Sequence, residues 1–265
     1  MSGVAVEAVL RRDAAIVAAS LILLAWIALL AGAGTGMDPF AMSGWLVPSG
    51  PAMTSGPWTY AYWAIAFCMW VVMMVAMMLP SASPMVLLYA RVARHAEGKG
   101  QLTNANGAIA AFAAGYLTVW ILFSAAAVGL QYGLEQSGAM SGMMTLREPA
   151  LAGALLIAAG LYQLTPLKES CLTHCRSPAR FLAAHWRPGV DGAWRMGLAH
   201  GLYCFGCCAA LMLLLFVGGV MNLVWIAGLS LIVLAEKLLP QGARLRVPLG
   251  LLLVIAGLGL IATQS

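Results

Sequence analysis

The side chains of this chain best suited to chemistry are sulfurs and imidazoles, and they are grouped. Cys171, His174 and Cys175 lie within five residues, and His200 is followed by Cys204, Cys207 and Cys208. Cys68 stands alone in a methionine-rich stretch. Soft sulfur donors of this kind bind soft metals such as Cu(I), or exchange disulfides when their thiols are activated. On a helix, His200, Cys204, Cys207 and Cys208 fall at about 0°, 40°, −20° and 80°, so all four share one face. One imidazole with two or three sulfurs is enough for a tri- or tetracoordinate site. Counted from Arg195 at the inner boundary, His200 lies about 7 Å deep and Cys208 about 20 Å deep. An ionisable His at membrane depth is a functional hypothesis by default. The competing reading is a set of inert buried thiols. Cys171 and Cys175 are one helical turn apart, with His174 beside them. Lone His95 and His185 read as solvated or interfacial residues.

A second sulfur group precedes these. Residues 67–80 contain Met69, Met73, Met74, Met77 and Met78. Met69, Met73 and Met77 fall within about 80° of arc, one turn apart, and Met74 and Met78 form a neighbouring stripe. A column of thioethers suits Cu(I). Its Met-x-x-x-Met spacing is similar, in spacing alone, to that of the pore-lining helix of high-affinity eukaryotic copper transporters. Packing is the competing account, because Met is an adaptable core residue. Pro80 cannot donate to the carbonyl of Ala76, so a kink is expected there, with Ser81 and Ser83 available to compensate.

The elements that must carry these groups are apolar helices. The chain is 62% hydrophobic and only 9% charged, with a mean hydropathy of +0.90. A membrane helix needs about 20 apolar residues, and runs of that kind predict spans over about 14–33, 58–79, 108–130, 150–166, 196–216, 220–239 and 247–262. The expected fold is all-α: a polytopic transmembrane bundle of about seven helices, one integral membrane domain over 1–265, with a cytoplasmic Cys/His loop at 167–195. With the N-terminus in the cytoplasm, every Lys and Arg except Arg147 falls inside, as the positive-inside rule requires. The expected location is a bacterial inner membrane, multi-pass, with the C-terminus outside. The net charge of +5 then reflects topology, not a nucleic-acid surface. Arg11-Arg12, an apolar stretch and Ala31-Gly32-Ala33 allow a signal-peptide reading that would leave six helices; the apolar stretch is long for that, and an anchor is preferred. Outside loops carry Met37, Met42, Met53, Met140, Met143 and Met144, with Trp45 and Trp58 as interface anchors. Glu236, next to Lys237, is an acid within an apolar run, and structural pairing with Lys237 or a loop arginine is its favoured role.

The stretches Met73–Ser81, Pro166–Pro178, Gly201–Cys208 and Val217–Leu223, with Glu236-Lys237, resemble a bacterial family of integral membrane proteins described as predicted metal-binding. The resemblance spans roughly residues 60–240. It implies a helical membrane fold and metal binding on Met73, Met74, Met77, Met78, Cys171, Cys175, Cys204, Cys207 and Cys208. It brings no reaction with it.

Three functions compete. The first is a membrane protein that binds a soft metal, Cu(I) before Zn, through the Met helix and the cytoplasmic-side cluster, for transport or delivery. Its partners would be the lipid bilayer and a metallochaperone or membrane complex. The second is a thiol–disulfide redox protein using Cys204/Cys207 and Cys171/Cys175. Against it, the cytosol keeps thiols reduced, and Cys208 and His200 are surplus to a dithiol. The third is an accessory or assembly subunit whose Met and Trp surfaces are packing faces. Hydrolase chemistry has no motif here, so an enzyme is the less favoured class. Oligomeric state is not set by the sequence.

Overall fold

The computed structural model describes residues 3–35, 39–40, 43, 58–141, 144–239 and 241–263, with side chains from residue 15 onward apart from 243. Met37, Met42, Met53, Met143 and Trp45, expected in the outside loops, lie outside the described residues. The described chain is helical throughout: α1 (Gly3–Leu30), a 3-10 turn (Gly32–Gly34), α2 (Tyr60–Gly98), α3 (Ala105–Gln136), α4 (Pro149–Leu164), α5 (Pro166–Arg176), α6 (Pro178–His185), α7 (Gly189–Leu213), α8 (Leu215–Gly218), α9 (Leu223–Leu238) and α10 (Gly242–Ala262).

Four helices among the described residues are long and apolar enough to cross a membrane. They are α2, α3, α7 running on into α8, and Arg244–Ala262 of α10. Together α4 and α5 make a fifth candidate, bent by 64°. The expected count was about seven. The apolar part of α1, Ala15–Leu30, is shorter, and α9 has 16 residues. At about 1.5 Å per residue, α9 extends about 24 Å, against a hydrocarbon core of about 30 Å.

Local chemistry sets the breaks. Thr59 caps α2 by accepting from the Tyr62 amide, and α2 then runs through both Pro80 and Pro84. The hydroxyl of Ser81 donates to the Met78 carbonyl at 2.9 Å, and Ser83 donates to Leu79 at 2.8 Å. At Pro166 the outcome is different. Thr165 ends α4 in extended backbone and caps α5, with Pro166 at the first helical position, where its missing N–H costs nothing. Pro178 starts α6 likewise, so the segment 167–195 expected as a cytoplasmic loop is two short helices followed by the start of α7. After α8, Gly219 takes φ +99°, a conformation that favours glycine. Asn222 then caps α9 through the Val224 and Trp225 amides.

Small residues set the helix spacing. A Cβ on Gly197 of α7 would stand 2.0 Å from the Phe112 carbonyl oxygen of α3. On α4, a Cβ at Gly153 would meet the Gly257 oxygen of α10 at 2.7 Å. Glycine at such contacts lets backbones approach closely, as at membrane helix interfaces. Two cores result. The larger holds Met69, Met73, Met74, Met77, Met78, Met140, Met144, Met212 and Met221 together with Cys204, Cys207 and Cys208. The smaller is built around Tyr89, Phe112, Phe181 and Met196.

Candidate metal centre

The expected face of α7 does turn inward. Cys204, Cys207 and Cys208 are all buried. Cys207 Sγ lies 3.2 Å from Cys208 Sγ, and its thiol donates to the Cys204 carbonyl at 3.2 Å. Tyr116 of α3 places its hydroxyl 3.2 Å from Cys204 Sγ and the same distance from the Met78 carbonyl. The thiol cluster therefore touches the lower end of the methionine stripe through one phenol.

The sequence reading missed the group closest to Cys204. Lys237, at the end of α9, is buried, and its ammonium lies 3.0 Å from Cys204 Sγ and 3.1 Å from Ser81 Oγ. The expected partner, Glu236, faces another way. It takes Lys168 of α5 at 2.7 Å, with each side chain 1% exposed, and Gln163 Nε2 donates to its other oxygen at 3.2 Å. Adjacent residues on a helix point about 100° apart, so Glu236 and Lys237 serve separate sites. Arg176 adds to the junction by donating to the Glu236 and Leu239 carbonyls at the end of α9. A charge buried this deeply is tolerable only when paired. The Lys168–Glu236 pair and the arginine cap thus fix α5 to α9.

That fixation brings the second cysteine group to the first. Cys175 is half-buried, and Cys207 Sγ approaches it to 3.8 Å. Cys171, also half-buried, sits against Gly206, where a Cβ would lie 2.6 Å from its sulfur. The hydroxyl of Tyr162 donates to the Gly206 carbonyl and holds α4 to the same turn of α7. His174 points elsewhere: its ring stacks on Tyr203 at 4.2 Å, and its Nδ1 bonds the Ser170 carbonyl at 2.8 Å.

The other expected donors are placed as follows. His200 is buried, one turn before Cys204, with its ring against Phe112, Tyr116 and Phe181. Its Nδ1 is buried without a hydrogen-bond partner. Met69, Met73, Met74, Met77 and Met78 are all buried in the larger core, as both the packing and the ligand readings require. Cys68 is exposed on the opposite side of α2. His95 is exposed and His185 half-buried. Trp58, the expected anchor, packs against Tyr62, Trp63 and Tyr132 and donates to Glu135 at 2.8 Å.

How well does this donor set suit a soft ion? Two thiolates on one ion with bonds of about 2.3 Å stand about 3.8 Å apart, which is the Cys175–Cys207 separation. Cys207 and Cys208, at 3.2 Å, are closer than that and would have to rotate apart. Among the described residues, no group of three or more His, Cys, Asp or Glu side chains converges around a common point. The thiols hydrogen-bond one another and Lys237 instead. The donors are of the right chemistry, and in this conformation they are drawn together rather than opened around an ion.

Apolar helices packed around a core of free thiols and thioethers define the class of this molecule. Residues 67–260 match the family PpoB2, described as copper chaperone. The match covers well over half of the chain, and the protein belongs to that family. No curated protein and no solved structure matches it.

Proposed function

We propose that this protein handles Cu(I) as cargo inside a membrane, receiving it through the thioethers of α2 and holding it on Cys204, Cys207 and Cys208. The observation that carries this reading is that Met69, Met73, Met74, Met77 and Met78 share one packed core with the three buried cysteines. Soft thioethers hold Cu(I) weakly and thiolates hold it more strongly, so a chain of the two passes the ion toward the cysteines. The Lys237 ammonium 3.0 Å from Cys204 shows that this sulfur faces a cation in the resting molecule, a contact that bound Cu(I) would have to displace or tolerate.

In this proposal α1 and α9 are further spans beside the four to five long ones, and the bundle sits in a bacterial inner membrane. The face carrying Arg180, Arg187 and Arg195 is cytoplasmic, by the positive-inside rule. Delivery is to a soluble metallochaperone or to a membrane complex. His200 and His174 remain as supporting donors that would have to leave their aromatic contacts to reach an ion.

The test is bound-metal analysis of the purified wild type and of a Cys204→Ser/Cys208→Ser variant after anaerobic loading with Cu(I) and, separately, Zn(II). Copper bound by the wild type and lost from the variant is the expected result. A wild type that binds neither metal with all thiols reduced overturns the reading. A specific Cys204–Cys207 disulfide without bound metal would favour the dithiol alternative.

A further inference from the structure

The cysteines form two tiers. Cys204, Cys207 and Cys208 are sealed in the core, at 0%, 1% and 1% exposure, whereas Cys175 is half-buried and within 3.8 Å of Cys207. Cys175 therefore joins the buried sulfurs to the partly exposed face of α5. Its helix does not drift. Lys168 is locked on Glu236, Arg176 caps the end of α9, and His174 is stacked flat on Tyr203. The residue that follows Cys175 is thus anchored on one side and the residue that precedes it on another, which leaves the Cys175 side chain as the part free to move by rotamer. Exposed Arg180 lies on α6, exposed Arg187 just after it, and exposed Arg195 on α7; these are cations suited to an anionic visitor.

Resting on the Cu(I) reading above, we propose that Cys175 is the exchange ligand through which an anionic thiolate from the aqueous phase takes copper from, or gives it to, the buried cysteines. The step is an associative ligand exchange. A bond from copper to Cys175 sulfur forms as the bond to Cys207 sulfur breaks; incoming thiolates then replace Cys208 and Cys204 on the ion, and the last protein bond, to Cys175, breaks as the ion passes to the visitor, with Cys208 taking a proton from water and Cys204 left as the thiolate beside the Lys237 ammonium. Until that last break one Cu–S bond forms for each that breaks, and the ion stays Cu(I). The proton leaving the Cys175 thiol goes to the thiolate released at Cys207, and Cys175 regains a proton from water when it gives up the ion. Burial of the other three sulfurs prevents direct attack by the visitor, so the path runs through the half-exposed one.

The experiment uses the full chain in detergent micelles, loaded anaerobically with Cu(I), with glutathione as the thiolate probe. Bound copper and the rate of copper transfer to glutathione are measured for the wild type, Cys175→Ser and Cys171→Ser. A variant-free arm follows alkylation by a polar maleimide, with mass spectrometry identifying each modified cysteine. The expected result is that Cys175→Ser holds copper close to the wild-type amount while transfer slows by about tenfold or more, with Cys171→Ser near wild type. Cys175 should also be alkylated well before Cys204, Cys207 and Cys208, and its alkylation in the loaded wild type should slow transfer as the variant does. Unchanged transfer by Cys175→Ser, or by the alkylated wild type, overturns the exchange role and leaves the Cu(I) reading intact. Loss of copper from Cys175→Ser makes Cys175 a holding ligand and also overturns the proposal. A wild type that binds no copper removes the Cu(I) reading itself.

Discussion

The ammonium of Lys237 lies 3.0 Å from the sulfur of Cys204, inside an apolar core rich in methionine and cysteine. A copper ion on Cys204 would share that space with a like charge. Two unit charges about 4 Å apart repel by about 4 kcal/mol at an effective dielectric of about 20. Lys237→Met keeps the aliphatic stem and removes the charge. Its Cu(I) dissociation constant, measured by competition with a chromogenic chelator, is expected to fall by about tenfold or more, equivalent to about 1.4 kcal/mol. A constant that is unchanged or higher would show that the lysine does not compete with the ion.

The Lys168–Glu236 pair should be costly to break from one side only. Glu236→Gln or Lys168→Met leaves one unpaired charge in a site that is 1% exposed, and such changes cost about 3–5 kcal/mol. Replacing both by apolar residues is expected to recover most of that loss, because the desolvation of both charges is then removed. Thermal unfolding in detergent reads both outcomes. The single variants should also speed alkylation of Cys171 and Cys175, since α5 keeps only the Arg176 contacts to α9.

Methionine substitutions separate packing from ligation. Met73→Leu with Met77→Leu conserves volume, and such swaps cost under about 1.5 kcal/mol each. The melting temperature should stay near wild type while the rate at which external Cu(I) reaches the cysteines in proteoliposomes drops by about tenfold or more. If loading is unaffected, the buried stripe is packing alone.

Helix spacing offers a control that involves no ligand. Gly197→Ala would bring a Cβ to 2.0 Å from the Phe112 carbonyl oxygen, and overpacking of that kind costs about 1–3 kcal/mol. Gly129→Ala, with nothing within 4 Å of its Cβ, should be neutral or slightly stabilising, since alanine is the better helix former by about 1 kcal/mol. The two melting temperatures should move in opposite directions or differ clearly in size.

Much of the fold was legible in the sequence because it follows from short-range rules. The 3.6-residue period put Met69, Met73 and Met77 on one stripe and Cys204, Cys207 and Cys208 on one face, and both surfaces are buried. Pro166 ended α4 where its missing N–H required. Pro80 and Pro84 did not end α2, which runs through both, as prolines within long apolar helices are tolerated. The helical state of 166–185 was hidden by its low hydropathy, which reads as a loop when only apolar runs are counted. The long-range pairings were not legible. Lys168 and Glu236 are 68 residues apart, and nothing local says that Lys168, and not the neighbouring Lys237, answers the carboxylate. His200 shared a wheel face with the cysteines, yet a wheel carries no information on the aromatic rings that Phe112, Tyr116 and Phe181 bring from other elements.

The opposite directions of Glu236 and Lys237 also bear on how this protein can vary by descent. A one-residue insertion or deletion within α9, ahead of this dipeptide, would rotate its end by about 100°. An insertion would carry the carboxylate toward the thiols and leave Lys168 facing Ala235, whereas a deletion would carry the ammonium toward Lys168 and leave the thiols facing Leu238, so either change breaks both electrostatic matches. Length changes in α9 should therefore be far less tolerated than substitutions along its outer surface. Counting residues between Asn222 and Glu236-Lys237 is a simple way to recognise relatives that keep the same internal wiring.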